Sequence, residues 1–408
     1  MNKFQNMSGF KKGLLLIAIT LVLLVTIELM FRVVYFVVNR PIGAGTNYST
    51  YLPIIGYRKK PYSNHGIQTF DRYGLPLNEP HQERDLLKKP DDEFRVIMLG
   101  GSTVEGRFLT SSTDTLPARL ERSIQKMFND NGIGLKTSVI NGGSSGYFSG
   151  QELASFIYQF LSTKPDMIVF FNGVNDFTVY GNNKSSAYDL FEHNYNNVQS
   201  EFFDSYNRFF TVSGIMYALI KNATAHSAAI DFLFKLLTRF DRFTEIVEVK
   251  IGGEASVKSV IEKYVPIHIN RYHRNLLASI GVARQFDIDI AYILQPTMLG
   301  NEPLTKSELA ILKAIPQKLK WHNIDYITAK RVFYQRSQDM FRTAISQYNK
   351  HTNVTVLDFS RLFDDKDSNI DFYGDRAHYL NIGREKIIRK MMQALSNQIM
   401  AKAKSRLN

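Results

Sequence analysis

Residues 91–175 alternate short apolar runs with amphipathic helical stretches, and this alternation restricts the chain to an α/β fold with a parallel sheet. Phe94-Arg95-Val96-Ile97-Met98-Leu99 reads as a buried strand. Leu116, Leu120, Ile124 and Phe128 recur at helical spacing. Residues 136–140 form a second strand, 151–161 a helix, and 167–171 a third strand announced by Pro165-Asp166. The pattern lapses over 179–269 and resumes with a helix near 271–285 and a strand at 288–294, ending at Gln295-Pro296. A last strand at 353–359 and a closing helix at 382–400 complete it.

Four short motifs stand just past strand ends. They are Gly100-Gly101-Ser102, Asn141-Gly142-Gly143-Ser144-Ser145-Gly146, Asn172-Gly173-Val174-Asn175-Asp176 and Asp375-Arg376-Ala377-His378. Ligands of open α/β sheets bind outside the carboxyl ends of the strands, so these motifs converge on one cleft. Ser102 is a nucleophile candidate, and a hydroxyl needs a base to remove its proton. His378 is the natural base. Asp375, three residues earlier, can fix the imidazole tautomer. Gly146, through its amide, and Asn175, through its side chain, are candidate oxyanion donors. Taken singly, each motif has an ordinary structural reading: a helix cap for Ser102, turn glycines, a strand-end cap for Asn175, a surface loop pair for Asp375 and His378. Their joint order along the sheet is the specific signal.

These residues carry a resemblance to the SGNH (GDSL-type) hydrolases, named for Ser, Gly, Asn and His blocks. Ser102 matches the first block, Gly146 the second, Asn175 the third, and Asp375 with His378 the last. The resemblance covers residues 91–178 and 271–400. It implies a flavodoxin-like three-layer sandwich with a parallel five-stranded sheet, and ester chemistry on Ser102. It also implies an oxyanion hole built from the amides of Ser102 and Gly146 and the Asn175 side chain. One departure is visible: the usual Gly-Asp-Ser reads Gly100-Gly101-Ser102. The missing acid lies outside the catalytic set, so it bears on the subfamily and not on the activity. No metal or cofactor is implied.

Residues 14–38 form a largely apolar stretch charged only at Glu28 and Arg32, long enough to span a bilayer. The two charges are spaced to pair near one membrane face. Lys3, Lys11 and Lys12 favour a cytoplasmic N-terminus. The small residues Gly43, Ala44 and Gly45 lie too far from the apolar run for a signal-peptide cleavage site, so an uncleaved anchor is expected. The expected organisation is a cytoplasmic segment 1–12, a transmembrane helix 13–38, and a connector 39–90 packing on the main domain. The hydrolase domain follows over 91–400 with a helical insertion at about 179–269, then a basic tail 401–408. The catalytic part is expected outside the cytoplasm, in the periplasm or at the cell surface.

The chain has no cysteine, which excludes thiolate nucleophiles and zinc–cysteine sites, and its net charge of +12 suits an anionic envelope polymer or lipid headgroup. No motif suggests nucleic-acid reading. In the insertion, Tyr188, Phe191, Tyr195, Phe202, Phe203, Tyr206, Phe209 and Phe210 read as its own core. Residues 228–243 read as an amphipathic helix packed beside the active site. Its Ile230, Leu233, Phe234, Leu237 and Phe240 face away from Asp231, Lys235, Arg239 and Arg242. The acidic run 365–371 starts like a calcium loop, but Ile370 replaces the turn glycine and Arg376 the closing Glu, which leaves a solvated loop. The expected function is a membrane-anchored serine esterase. Its expected substrate is an acyl ester, with acetyl as the first choice, on an extracytoplasmic glycan. An O-acyltransferase using the same acyl-enzyme and a non-catalytic glycan-binding component are the alternatives.

Overall fold

A computed structural model of the chain describes residues 8–38, 49–65, 68–79, 84–106, 109–177, 220, 223–224, 226–233, 236, 257–300, 303–314, 320–321, 324–364, 370–375 and 377–407. Residues 1–49 and 199–251 form one compact unit; residues 50–198 and 252–408 form the other. The aromatic cluster at 188–210 and residues 365–369 of the acidic run lie outside the described residues, as does Arg376.

In the first unit, helix α1 (Gly9–Val37) has 29 residues and is long and apolar enough to cross a membrane. At 1.5 Å per residue it is roughly 43 Å long, against a hydrocarbon core of about 30 Å. Glu28 and Arg32 pair at 2.8 Å. The described part of 226–236 departs from expectation: Asp231 is fully buried, whereas Phe232, Leu233 and Leu236 are exposed. Periodicity locates the two faces of a helix but does not say which face meets protein.

In the second unit, the central sheet has five parallel strands: β1 (Glu93–Gly100), β2 (Lys136–Asn141), β3 (Met167–Asn172), β4 (Asp289–Leu294) and β5 (Val354–Asp358). They lie in the order β5-β4-β3-β1-β2. Read from the far edge this is 2-1-3-4-5, the flavodoxin-like arrangement, with its switch point between β1 and β3.

Alternate residues of each strand serve opposite layers. Val96, Met98, Val169, Phe171 and Ile293 pack with α3 (Leu116–Asp130) and α8 (Asn381–Leu407), counting Ser102–Glu105 as α2. On the other face, Ile97, Leu99, Ile168, Phe170 and Tyr292 pack against α5 (Val257–Gln285) and α7 (Tyr326–Tyr348). Phe156 and Phe160 join that face just beyond α4 (Ser149–Ser155); α6 is Lys306–Lys313. Helix α3 shows why these elements form. Thr115 caps it by accepting from Ala118 N at 3.2 Å, and Pro117 sits in its first turn. Leu120, Ile124 and Phe128 on its inner face are fully buried, each worth about 1.5–3 kcal/mol.

Two boundaries differ from the sequence reading. Helix α5 begins at Val257, so the expected insertion boundary at 269 falls inside it. Pro266 lies inside this helix, and buried Val265 and Tyr272, on either side of it, pack into one core. Helix α8 runs to Leu407, so the expected basic tail is mostly helix. Lys402 pairs with Asp287 at 2.9 Å, Arg406 with Asp166 at 2.7 Å, and Ala403 is buried. The expected connector also carries two small hairpins, over Ser49–Leu52 with Gly56–Lys59 and over Asn64–His65 with Gln68–Thr69.

Asp289, at the start of β4, is buried, and burial pushes its carboxyl up to about 6 against the opposing pull of Lys402 and Gln398. A raised carboxyl means the folded state holds the proton longer than the unfolded chain. Stability from this group is therefore lost as pH rises from its ordinary value through about 6. Asp289→Asn is expected to raise the thermal unfolding midpoint at about pH 8, with the gain vanishing below about pH 4. An equal shift at both pH values would contradict this account of Asp289.

Candidate active site

Ser102 is the first residue of α2, immediately after β1. Of the two preceding glycines, Gly100 is sterically required and Gly101 sits against the Asn175 carboxamide. A Cβ on Gly100 would lie 2.4 Å from Val104 Cγ2 and 2.6 Å from the Phe171 carbonyl oxygen, and a Cβ on Gly101 2.6 Å from Asn175 Nδ2. A side chain at 101 would therefore press on the Asn175 carboxamide.

His378 lies between β5, which ends at Asp358, and α8, which begins at Asn381, and it reaches the serine. Its Nε2 lies 2.7 Å from Ser102 Oγ, and its Nδ1 lies 2.7 Å from Asp375 Oδ2. The other carboxylate oxygen, Oδ1, accepts the backbone N–H groups of Ala377 at 2.9 Å and His378 at 2.8 Å. Burial raises the Asp375 carboxyl, but the hydrogen bond from His378 and the Ala377 and His378 amides outweigh it and hold it at about 2. The aspartate is therefore ionised at neutral pH, and its ion–imidazole contact favours a proton on Nδ1, leaving Nε2 able to accept from Ser102.

Gly146 lies in a loop fastened to β1: Ser144 N donates to the Gly100 carbonyl at 3.0 Å and Tyr147 N to the Ser144 carbonyl at 3.0 Å. Gly146 is the third residue of that turn at φ +85°, a position that demands glycine. Asn175, beyond β3, donates from Nδ2 to the Tyr147 carbonyl at 2.8 Å. That bond fixes the plane of the carboxamide beside Gly101. Ser102, Gly146, Asn175, Asp375 and His378 thus gather at the carboxyl ends of β1, β2, β3 and β5.

Several supporting residues escaped the sequence reading. Glu105, three residues past Ser102 and buried, accepts the Ser145 amide and lies 3.6 Å from Lys59 Nζ. Its backbone leaves no room for a side chain at Gly143, where a Cβ would sit 2.3 Å from Glu105 N. Arg58, also buried, donates to the Gly142 carbonyl at 2.9 Å. Gln295, past β4, accepts from Thr103 Oγ1 and donates to Tyr379 Oη, both at 3.3 Å, so it bridges the neighbours of the nucleophile and the base. Behind Asn175, Asp176 accepts the Ser149 amide at 3.1 Å. Burial and the nearby Asp176 push the Glu152 carboxyl well above the usual range despite its bond from Asn172. The spacing of Glu105 from Ser102 was visible in the sequence. The partners of Arg58 and Gln295 lie 84 or more positions away in the chain and left no local signal.

No protein-family model and no curated protein matches the chain. Among solved structures it is similar to a GDSL-like lipase from Bacteroides thetaiotaomicron, at 12% identity over 76% of this chain and 91% of that one, with a TM-score of 0.35. It is also similar to a lipase/acylhydrolase from Enterococcus faecalis, at 14% identity over 74% and 96% with a TM-score of 0.35. A third similar structure is an acetylxylan esterase from Geobacillus stearothermophilus, at 12% identity over 75% and 93% with a TM-score of 0.37. What the site can do rests on the chain's own residues. The chain's own sheet order is the one that the resemblance to the SGNH (GDSL-type) hydrolases implies.

If Asn175 donates to an oxyanion, Asn175→Ala lowers kcat about 10²–10³-fold with KM little changed. Gly101→Ala, which displaces the same carboxamide, is expected to lower kcat in the same way, and the double variant to be no worse than Asn175→Ala. A Gly101→Ala enzyme with full kcat would show that this carboxamide does not have to stay where it is.

Proposed function

We propose that the protein is a serine esterase, held at a membrane by α1, with Ser102, His378 and Asp375 as its catalytic triad. The observation that carries this reading is the continuous hydrogen-bonded line from Ser102 Oγ through His378 to Asp375, with both links at 2.7 Å. Ser102 Oγ attacks the ester carbonyl while His378 Nε2 takes its proton. The tetrahedral oxyanion is held by the amides of Ser102 and Gly146 and by the Asn175 side chain. His378 then returns the proton to the departing alcohol, leaving an acyl-enzyme. Water, activated by the same imidazole, attacks the acyl carbon, releases the acid and restores Ser102.

The substrate class we propose is an acyl ester, with acetyl as the first choice, on an extracytoplasmic glycan. The membrane-length helix and its N-terminal lysines support the compartment, and the net charge of +12 supports an anionic polymer. The test is release of acetate from O-acetylated polysaccharides by the detergent-solubilised full chain, beside a short-chain chromogenic ester. Turnover of both supports the reading. Turnover of the small ester alone would remove the glycan, and turnover of neither by folded protein would remove the esterase.

A further inference from the structure

The outer part of α1 carries a stripe that differs from the rest of the helix. Along most of its length the apolar side chains are exposed, as at Leu16, Leu23, Val25 and Leu29. Glu28, Phe31, Arg32 and Tyr35 follow helical spacing on one face, and Tyr35 is buried there. Residues 226–232 dock on this stripe. Glu28 accepts the Ser227 hydroxyl at 2.7 Å and the amides of Ala228 at 3.0 Å and Ala229 at 3.1 Å, so it caps the start of the helical turn over 228–233. Arg32 donates to the His226 carbonyl at 2.9 Å and pairs with Glu28. Phe31 and Phe232 pack with ring centroids 4.7 Å apart.

A charge pair on a membrane-length helix is costly unless satisfied, and here both charges are used to hold a second segment. That segment exposes its apolar side. Asp231, Thr224 and Ala228 are buried, while Ile220, Phe232, Leu233 and Leu236 are 41–52% exposed. Counting the roughly 20 residues that cross a hydrocarbon core from Leu14 puts Glu28 in the outer part of that core and Arg32 near its edge. The exposed Phe232, Leu233 and Leu236 are therefore continuous with the lipid-facing surface of α1.

We infer that residues 226–233, with Leu236, form a membrane-interface segment, clamped to α1 by Glu28 and Arg32, whose Phe232, Leu233 and Leu236 enter the headgroup–acyl boundary of a lipid bilayer. The depth expected of such a segment is about 5–10 Å. This rests on the reading of α1 as a membrane anchor.

The chain contains no cysteine, so single-cysteine variants of the full chain can be labelled directly with an environment-sensitive fluorophore. Leu233→Cys and Leu236→Cys test the segment. Leu23→Cys tests the middle of α1, and Lys126→Cys, on an exposed side chain, reports water. The labelled proteins are reconstituted into phosphatidylcholine–phosphatidylglycerol vesicles carrying a nitroxide either shallow or deep on the acyl chain. The expected result is quenching at 233 and 236 mainly by the shallow nitroxide, at 23 mainly by the deep one, and at 126 by neither. Quenching at 23 with none at 233 and 236 would overturn the inference and leave the anchor standing. A blue-shifted but unquenched label at 233 would report burial in protein and also overturn it. Absence of quenching at 23 would remove the anchor reading and this inference with it. In Glu28→Ala, shallow quenching at 233 should fall while that at 23 persists, and unchanged quenching at 233 would overturn the clamp.

Discussion

Replacing Ser102 with alanine is expected to lower kcat on an acetyl ester by roughly 10⁶-fold, leaving only what binding and oxyanion stabilisation supply. The hydroxyl is the atom that bonds to the acyl carbon, and it stands 2.7 Å from His378 Nε2. His378→Ala is expected to cost about as much, because without the imidazole the hydroxyl keeps its proton. The two losses do not add: the double variant should be no slower than either single one, since the groups act as a unit. The measurement is kcat of the purified full chain, with thermal unfolding of each variant to confirm folding. A double variant clearly slower than both singles would mean that the two residues act independently, against the hydrogen-bonded line described above.

Asp375→Asn is expected to lower kcat by about 10⁴-fold with little change in the fold. In the native protein Oδ1 accepts two backbone amides and Oδ2 accepts from His378 Nδ1. An asparagine whose oxygen stays on the backbone amides turns its NH2 toward Nδ1. Nδ1 must then accept, the imidazole proton moves to Nε2, and Nε2 can no longer take the proton of Ser102. The carboxyl is held at about 2, below its ordinary value, so the sign of its contribution is that of a depressed acid. Stability from the ionised carboxylate is fully present above about pH 4 and is lost as pH falls toward 2. The difference in unfolding midpoint between wild type and Asp375→Asn should therefore shrink across that acid window. A variant with near-native kcat would contradict the role given to Asp375.

The sheet was legible because each strand is a short apolar run closed by a turn residue, and because Leu116, Leu120, Ile124 and Phe128 repeat at helical spacing. The carboxyl-end rule then places the four motifs at one cleft. Sequence reasoning stopped where tertiary contacts override local signals. The periodic pattern lapses up to 269, yet α5 starts at Val257 and continues through Pro266. Lys402, Lys404 and Arg406 look like a solvated tail, yet ion pairs to Asp166 and Asp287 accompany a helix that continues to Leu407. The faces of 228–233 were readable as a pattern, but their polarity was inverted, because a buried Asp231 beside exposed Leu233 makes sense only once α1 lies alongside. The residues that brace the site left less trace still. Gln295 and Arg58 act through partners far along the chain, and nothing adjacent to them in sequence marks that.

The central claim is that Ser102 is an activated nucleophile, and covalent trapping tests it most directly. The full chain is treated with a fluorophosphonate ester, and the modified peptide is identified by mass spectrometry. The account predicts one adduct, on Ser102 Oγ, that is lost in His378→Ala and competed by an acetyl ester. An adduct on another serine, or esterase activity that survives with Ser102 unmodified, would contradict it.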